Sequence, residues 1–366
     1  MPKLDCPLQL SPVIKPKIWG RKNLSPIYDG LPRLGARSTL GASQAAVAES
    51  REQLIGEVWL TDDTARFLNG PVAGLTLAEV SRKYGPELHG RNWHDPRFPL
   101  LAKYIFTNDW LSVQVHPDDD YARTHDPGNF GKCEMWYIVH ADRNAQLLLG
   151  LKAGVRKEDL GAAFQKGTCK ALLNRFHPKA GEAIFIPPGT VHALGPGLVL
   201  FEAEENSDLT YRLDDFGRLG LDGQPRPLHL HKGLEVIRMD LPAYRDLPRR
   251  EFREPYGSRR YVLASRFFAV EELKMQKQAS FQGSQERVEV LSMLAGDGRM
   301  ETTAGWFAYR TGDTWVVPPT AEQFRLVPRK NTRLLKYYVP DLDKDFRRPL
   351  LARRMRPATI ERIVFD

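Results

Sequence analysis

Glycine and proline recur so often along this chain that its apolar runs stay short. The sequence of 366 residues contains 29 glycines and 27 prolines. Turn motifs such as PPG (187–189) and GPG (195–197) separate short apolar segments that are typical of strands. Frequent breaks of this kind favour many turns and short strands. The sequence therefore predicts a mainly β fold built from compact barrels.

The strand-like segments form two blocks, and a loop-rich basic stretch at 218–250 is the predicted linker between them. We place a first domain at 1–240, a second at 250–340, and a basic C-terminal tail at 341–366. Apolar spacing of three to four residues near 156–176 predicts a small helical insertion in the first domain. GDTWVVPP (312–319) echoes GEAIFIPP (181–188), which puts Gln323 at the position of His192. We interpret the second block as a degenerate repeat of the first.

Charge and composition exclude several classes of protein. The net charge is +8, but the basic residues are spread, and no helix-turn-helix or zinc-finger spacing accompanies them. We therefore expect attraction for anionic metabolites and no nucleic-acid partner. The three cysteines form no CxxC pair, and no segment has the pattern of a signal peptide or membrane helix. We expect a cytoplasmic protein without a membrane partner, and the sequence leaves its oligomeric state open.

Three segments carry residues suited to a metal site. In LSVQVHPDD (111–119), Gln114 and His116 lie two residues apart, so they share one face of a strand. In GKCEMWYIV (131–139), Lys132 and Glu134 also share a face, and an antiparallel neighbour could bring Glu134 beside the first pair. His192 follows the tight PPG turn at the start of another strand.

Two imidazoles, one carboxylate and one amide oxygen suit zinc, and manganese or cobalt would also fit. Protein ligands that leave a position for water or substrate are typical of a catalytic site. The remaining histidines are expected to be surface or hydrogen-bonded residues: His89, His94, His125, His140, His177, His229 and His231.

The ordered motifs QVHPDD, K-x-EMWY, PPGTVHA and TYR resemble type I mannose-6-phosphate isomerases of the shorter bacterial branch. This resemblance implies two cupin-type jelly-roll barrels and one zinc ion bound by Gln114, His116, Glu134 and His192. It also implies interconversion of an aldose and a ketose phosphate through a cis-enediol, with mannose 6-phosphate and fructose 6-phosphate as the hexose 6-phosphate substrates. The run FEAEEN (201–206) departs from the more common FEIQQN-like run and adds Glu204 and Glu205 near the site.

The resemblance also suggests roles for residues around the metal. Arg212 could stabilise the developing negative oxygen. Either Glu202 or Lys132 could remove the carbon-bound proton, and the sequence does not choose between them. Lys103, Arg218 and Ser112 are the candidate ligands of the substrate phosphate.

Two other functions are compatible with a metal-binding cupin. A non-catalytic sugar-phosphate-binding or regulatory cupin would bind ligand without turnover, and it would need no base beside the metal. A cupin oxygenase would use two or three histidines with open positions for iron. The Gln114 ligand speaks against the oxygenase.

Overall fold

Antiparallel strands supply most of the regular structure in the computed structural model, which describes residues 2–29, 47, 50, 53–303 and 305–366. Part of the predicted first domain, mainly 30–46, lies outside the described residues. The first group of strands is β1 (Leu8–Leu10), β2 (Val13–Arg21), β3 (Ile55–Trp59), β4 (Leu100–Phe106), β5 (Val113–Val115), β6 (Glu134–Ala141), β7 (Leu147–Leu151), β8 (Leu173–Phe176), β9 (Ala183–Ile186), β10 (His192–Leu194), β11 (Leu198–Glu205) and β12 (Tyr211–Asp214).

A second group of strands follows the helical segment near residue 230. These strands are β13 (Phe252–Glu254), β14 (Gly257–Ser265), β15 (Ala269–Met275), β16 (Ala279–Phe281), β17 (Glu289–Ala295), β18 (Asp297–Thr302), β19 (Gly305–Arg310), β20 (Thr314–Val317), β21 (Phe324–Pro328), β22 (Thr332–Tyr338) and β23 (Val364–Phe365).

Helices are short and lie between or beside the strands. They are α1 (Leu77–Tyr84), α2 (Pro86–His89), α3 (Asp119–His125), α4 (Lys157–Gln165), α5 (Leu230–Val236), α6 (Arg348–Ala352), α7 (Pro357–Ile360), a π-helix (Leu342–Arg347) and 3-10 turns at Gly70–Val72 and Cys169–Leu172. In the part of the chain that the structure describes, no helix is both long and apolar enough to cross a membrane.

The four sheets form two pairs, and the two sheets of each pair pack face to face. A six-stranded sheet in the order β2-β3-β4-β11-β6-β9 and a five-stranded sheet in the order β12-β5-β10-β7-β8 enclose one apolar cluster. We call this pair the first sandwich. An eight-stranded sheet (β1-β20-β17-β22-β15-β14-β13, with β23 on β14) and a four-stranded sheet (β16-β21-β18-β19) form the second sandwich. The largest apolar cluster joins the six- and eight-stranded sheets back to back.

The mainly β prediction with a small helical insertion is confirmed, since α4 and the adjoining 3-10 turn occupy the segment predicted to be helical. α4 and α5 cover the outer face of the five-stranded sheet through apolar contacts that include Leu160 and Leu234. The predicted linker therefore contains a helix that packs on the first sandwich.

The chain ends do not follow the predicted domain limits strictly. β1 pairs with β20 of the second sandwich, from Leu8 opposite Val316 to Leu10 opposite Thr314. In the C-terminal tail, Phe346 and Leu350 are fully buried and β23 pairs in parallel with β14. The division at 240 and 250 stays a prediction, whereas the tail is packed against the second sandwich.

Candidate active site

Inward-facing side chains change from apolar to polar along the strands of the first sandwich. Alternate residues of a strand face one side of a sheet, and in four strands the apolar inner residues give way to polar ones toward the same end of the sandwich. These changes are Leu198 and Leu200 to Glu202 and Glu204 in β11, Ile138 and Trp136 to Glu134 in β6, Ile105 to Lys103 in β4, and Leu194 to His192 in β10. Together with the cross-strand pairing, this pattern builds a polar cleft at one end of an apolar core.

The four predicted metal ligands converge in this cleft. His192 lies directly opposite Gln114 in the β10–β5 pairing, and its Nε2 is 3.2 Å from the Gln114 side-chain amide. Glu134 comes from the facing sheet, with Oε1 3.2 Å from His192 Nε2 and Oε2 3.5 Å from His116 Nε2. Ligand atoms of the two histidines and Glu134 all lie within 4.8 Å of one another. The side chains are thus close enough to share one ion.

The donor set fits a cation because most of its inward-facing atoms make no hydrogen bond in the part of the chain that the structure describes. The Nδ1 atoms of His116 and His192 each lie 2.9 Å from a backbone carbonyl, of Leu209 and Thr190 respectively. Each ring therefore donates from Nδ1, which leaves the Nε2 lone pair free for a metal. Among the described residues, His116 Nε2 and both carboxylate oxygens of Glu134 are buried without a hydrogen-bond partner, and the ammonium group of Lys132 lies 3.2 Å from one of these oxygens.

The protonation of these groups follows from their burial. Burial, with Lys132 nearby, holds the pKa of His116 well below its usual value. Burial likewise lowers the pKa of His192 to about 4, although its bond to the Thr190 carbonyl opposes the change. Both rings are consequently neutral near pH 7, as metal ligation requires. Burial and the neighbouring Glu202 raise the pKa of the Glu134 carboxyl to about 8, against the effect of Lys132.

A chain of buried ion pairs surrounds the ligands. Lys132 Nζ is 3.2 Å from Glu134 and 2.9 Å from Glu204, and Lys103 Nζ is 2.8 Å from the other oxygen of Glu204. Lys103 also contacts Asp208 at 3.2 Å and Glu202 at 3.6 Å. Four carboxyl groups thus face two ammonium groups. A divalent cation bound at Glu134 would favour its ionised form, and with all four carboxylates ionised the cation would balance the excess of two negative charges.

Both lysines stay protonated because neighbouring carboxylates raise their pKa values. Glu204 and the other carboxylates raise the pKa of Lys103 well above its usual value, although burial alone would lower it. The pKa of Lys132 is likewise raised, by Glu204 and Glu134 against the effects of burial and Lys103.

The candidate catalytic side chains line the same cleft of about 200 Å³ as Gln114. Glu202 is almost fully buried, and Trp136 Nε1 donates to its Oε2 at 2.7 Å. Arg212 pairs with Gln114 across β12 and β5, and its Nη1 donates to the Pro227 carbonyl at 2.9 Å. Its Nε is buried without a partner. Burial and Arg226 lower the pKa of Arg212, but from so high a value that it stays protonated.

The structure brings Ser112 and Lys103 into the cleft but not Arg218. Arg218 instead donates to Asp215 at 2.8 Å and to the Trp110 carbonyl. Its guanidinium bonds to protein acceptors outside the cleft, and its assignment to the substrate phosphate stays a prediction. Arg226, which the sequence reasoning missed, lines the cleft and forms two bonds to Asp215.

Other cleft residues carried no sequence signal of their own. Lys17, Asp208 and His229 line the cleft, although each is remote from the metal-ligand motifs in sequence. Two hydrogen bonds join His229 to Arg212. The Nδ1 atom of His229 accepts from the Arg212 backbone N–H at 3.1 Å, and the backbone N–H of His229 donates to the Arg212 carbonyl at 2.8 Å. Only the fold of the 216–229 loop brings this residue to Arg212.

Comparison with known proteins identifies the family to which this chain is similar. Residues 8–135 match the family model for the catalytic domain of type I phosphomannose isomerase. The chain is 32% identical over 320 residues to a mannose-6-phosphate isomerase of Bacillus subtilis, covering 87% of this chain and 95% of that protein. It is 35% identical over 258 residues to the enzyme of Streptococcus mutans, covering 70% and 79% of the two chains.

A solved structure of the mannose 6-phosphate isomerase from Bacillus subtilis superposes with a TM-score of 0.79 at 27% identity, covering 91% of this chain and 99% of that one. Sequence and fold therefore agree over most of the chain. The protein belongs to the type I phosphomannose isomerase family.

Proposed function

We propose that this protein interconverts mannose 6-phosphate and fructose 6-phosphate, with one zinc ion held by Gln114, His116, Glu134 and His192. The observation that carries the proposal is the clustering of the His116, Glu134 and His192 ligand atoms within 4.8 Å of one another, beside a cleft lined by Gln114, Lys132, Glu202 and Arg212. Membership of the isomerase family supports the same reaction. Manganese and cobalt are the alternative ions that this donor set would accept.

A bound divalent cation would supply Lewis-acid polarisation of the substrate oxygens. Arg212 lines the cleft with a protonated guanidinium, which can donate to the oxygen that gains negative charge. Arg212 is held in position by the Pro227 carbonyl and by His229. Its donor is thus oriented before substrate arrives.

For the proton transfer between C1 and C2, we favour Glu202 over Lys132. Lys132 Nζ contacts two carboxylates within 3.2 Å, so its protons are engaged in ion pairs. Glu202 Oε2 accepts one bond from Trp136, and Lys103 lies 3.6 Å from Oε1. Glu202 lines the cleft, and its pKa is lowered by Lys132 and Lys103 against the effect of burial, so it is available as the carboxylate that a general base needs. Lys132 would orient Glu134 and Glu204.

For the substrate phosphate we propose Ser112 and Lys103, with Arg226 in the place first assigned to Arg218. Ser112 and Arg226 line the cleft. Arg226 keeps its orientation through Asp215, and a guanidinium can bind a phosphate as a fork. The buried Lys103 adds positive charge behind the site.

The test is direct. Zinc-loaded protein is incubated with mannose 6-phosphate, and formation of fructose 6-phosphate is followed by a coupled enzyme assay. We expect turnover that a chelator abolishes and zinc restores. His192→Ala should lose both bound zinc and turnover, whereas His140→Ala, at an exposed position, should keep both. Stoichiometric zinc and tight hexose-phosphate binding without turnover would support the non-catalytic alternative.

A further inference from the structure

The edge strand β19 of the second sandwich is exposed and almost uncharged. It ends the four-stranded sheet, with β18 as its neighbour. No charged residue occurs from Thr302 to Tyr309. Trp306 is 65% exposed, and among the described residues it is the only large aromatic side chain that is so exposed. An exposed apolar edge strand is a site where another chain can add by backbone pairing.

The backbone of β19 offers unpaired groups along this edge. Residues of an antiparallel strand alternate between bonding to the neighbouring strand and facing away from it. The N–H and carbonyl of Arg310 both bond to Asp313, so Arg310 faces away from β18. By this alternation, the N–H and carbonyl groups of Trp306 and Ala308 also point outward, and they have no hydrogen-bond partner among the described residues. The edge therefore presents two donors and two acceptors.

The opposite edge of the same sheet is protected. The strand β16 there has only three residues, and the exposed Lys277 lies two residues before it. Short edge strands and lysines discourage pairing with another chain. By contrast, β19 has six residues, and its single charged residue is Arg310 at its C-terminal end. Within this sheet, β19 is thus the edge that is open to pairing.

Antiparallel pairing with β19 of a second copy would match these groups around a two-fold axis. With Phe307 on the axis, Trp306 of one copy would lie opposite Ala308 of the second copy, and the reverse. The outward-facing residues would then exchange four backbone hydrogen bonds, which leaves none of their groups unpaired. Such an interface uses the same patch on both copies, as two-fold symmetry requires.

The side chains fit this register on both faces of the sheet. Trp306 and Ala308 share the outer face, so each indole would meet a small methyl group and not another ring. Arg299 lies next to Ala308 on β18, where its guanidinium can approach the same indole. On the inner face, Phe307, whose ring centroid is 5.9 Å from that of Trp315, would meet Phe307 of the second copy. The edge is therefore complementary to itself.

We propose that the protein forms a symmetric dimer in which the two β19 strands pair and the two four-stranded sheets join into one continuous sheet. The complementarity of Trp306 with Ala308 favours a second copy of this chain over an unrelated peptide as the occupant of the edge. No residue of β18 or β19 lines the cleft, so the inference does not depend on the proposed function.

Sedimentation velocity of the full-length, zinc-loaded protein tests the proposal. We expect the weight-average mass to rise from that of one 41.6 kDa chain toward that of two as the concentration increases from ~1 to ~100 µM. Ala308→Pro removes an outward N–H without removing a bond to β18, and it should raise the dissociation constant at least ~10-fold. Trp306→Gln, at an exposed position, should do the same.

Ser280→Pro is the matched control at the protected edge. Ser280 is the exposed central residue of β16 and pairs with Arg325. By the same alternation, its N–H points away from the sheet. This variant should dimerise like the wild type. Far-UV circular dichroism of each variant should match that of the wild type, so that loss of the dimer is distinguished from loss of the fold.

A cross-link tests the register itself. Phe307→Cys places a thiol on the two-fold axis, and the three native cysteines are buried. Oxidation with diamide should give a covalent dimer, because opposed residues at such a position have Cα atoms ~4.5 Å apart, within the range of disulfides. Ser280→Cys should give none.

Three results would overturn the proposal. The first is the mass of a single chain over the whole concentration range, which would leave the edge to a different occupant. The second is a dimer that neither Ala308→Pro nor Trp306→Gln weakens, which would place the interface on another surface. The third is a persistent dimer in which Phe307→Cys does not cross-link, which would refute the register.

Discussion

Replacing Glu204 by glutamine tests whether the buried ion-pair chain stabilises the first sandwich. Glu204 is fully buried, and its two oxygens contact Lys103 Nζ at 2.8 Å and Lys132 Nζ at 2.9 Å. Burial raises the pKa of this carboxyl, and the two lysines oppose the rise; because an ammonium group lies within about 3 Å of each oxygen, we expect the ionised form. Glutamine keeps the shape but removes the charge between two ammonium groups that are themselves at most 4% exposed.

The expected loss follows from these distances. At an effective dielectric constant of about 20, each pair at such a separation attracts by roughly 6 kcal/mol. Desolvation of the three buried ions offsets much of that attraction, so removing one partner of such a group costs about 3–5 kcal/mol. Lys132 would keep only Glu134 as a close carboxylate, whereas Lys103 would keep Asp208 and Glu202. The free energy of unfolding should therefore fall by about 3–5 kcal/mol.

The measurement is urea unfolding of the zinc-loaded protein at pH 7, with Glu205→Gln as the matched control. Glu205 is the next residue and is also buried, and it accepts from the Cys133 N–H at 2.7 Å. Burial raises its pKa to about 8, so at pH 7 it is largely protonated and resembles glutamine. The control should lose less than about 1 kcal/mol. Equal small losses in both variants would refute the claim that Glu204 is an ionised bridge between the lysines.

Three further predictions concern catalysis, metal and pH. Arg212→Ala should lower kcat by about 10²–10³-fold in steady-state assays, and Arg212→Lys should recover only part of it because the guanidinium fork is lost; unchanged kcat would exclude Arg212 from charge stabilisation. Chelation should lower the thermal midpoint measured by calorimetry, since a ligand bound only to the folded state stabilises it, and added zinc should restore it; an unchanged midpoint would contradict metal binding at these ligands. The folded pKa of Glu205, about 8, exceeds its unfolded value of about 4.3, so its contribution to stability should decline as pH rises between these values. Unfolding curves for Glu205→Gln should lack that decline, and identical pH profiles for variant and wild type would count against it.

The strand pattern let the sequence predict much of the site. Because side chains alternate along a strand, Gln114 and His116 had to share a face, as did Lys132 and Glu134. The tight turn before His192 placed that residue at the start of β10. The helical insertion followed from a local change in apolar spacing. These features depend on backbone geometry over a few residues, which a sequence displays directly.

Pairing between strands that are distant in sequence decides which side chains meet in the site, and the strand pattern alone could not predict this. His192 faces Gln114 because β10 and β5 pair in one particular register, although 78 residues separate them. Arg218 and Arg226 look equivalent in sequence, but only Arg226 reaches the cleft, while Arg218 turns to the Trp110 carbonyl.

The sequence by itself determined the mainly β fold, the family and the four candidate metal ligands, since these depend on alternation, turns and ordered motifs. Only the tertiary structure decided which charges are buried together and which histidine lacks a partner. His89 was expected to be exposed or hydrogen-bonded, yet it is buried with both ring nitrogens unpartnered. Burial and ion pairing depend on segments that meet across the fold, and the free energy of those contacts is set by their surroundings.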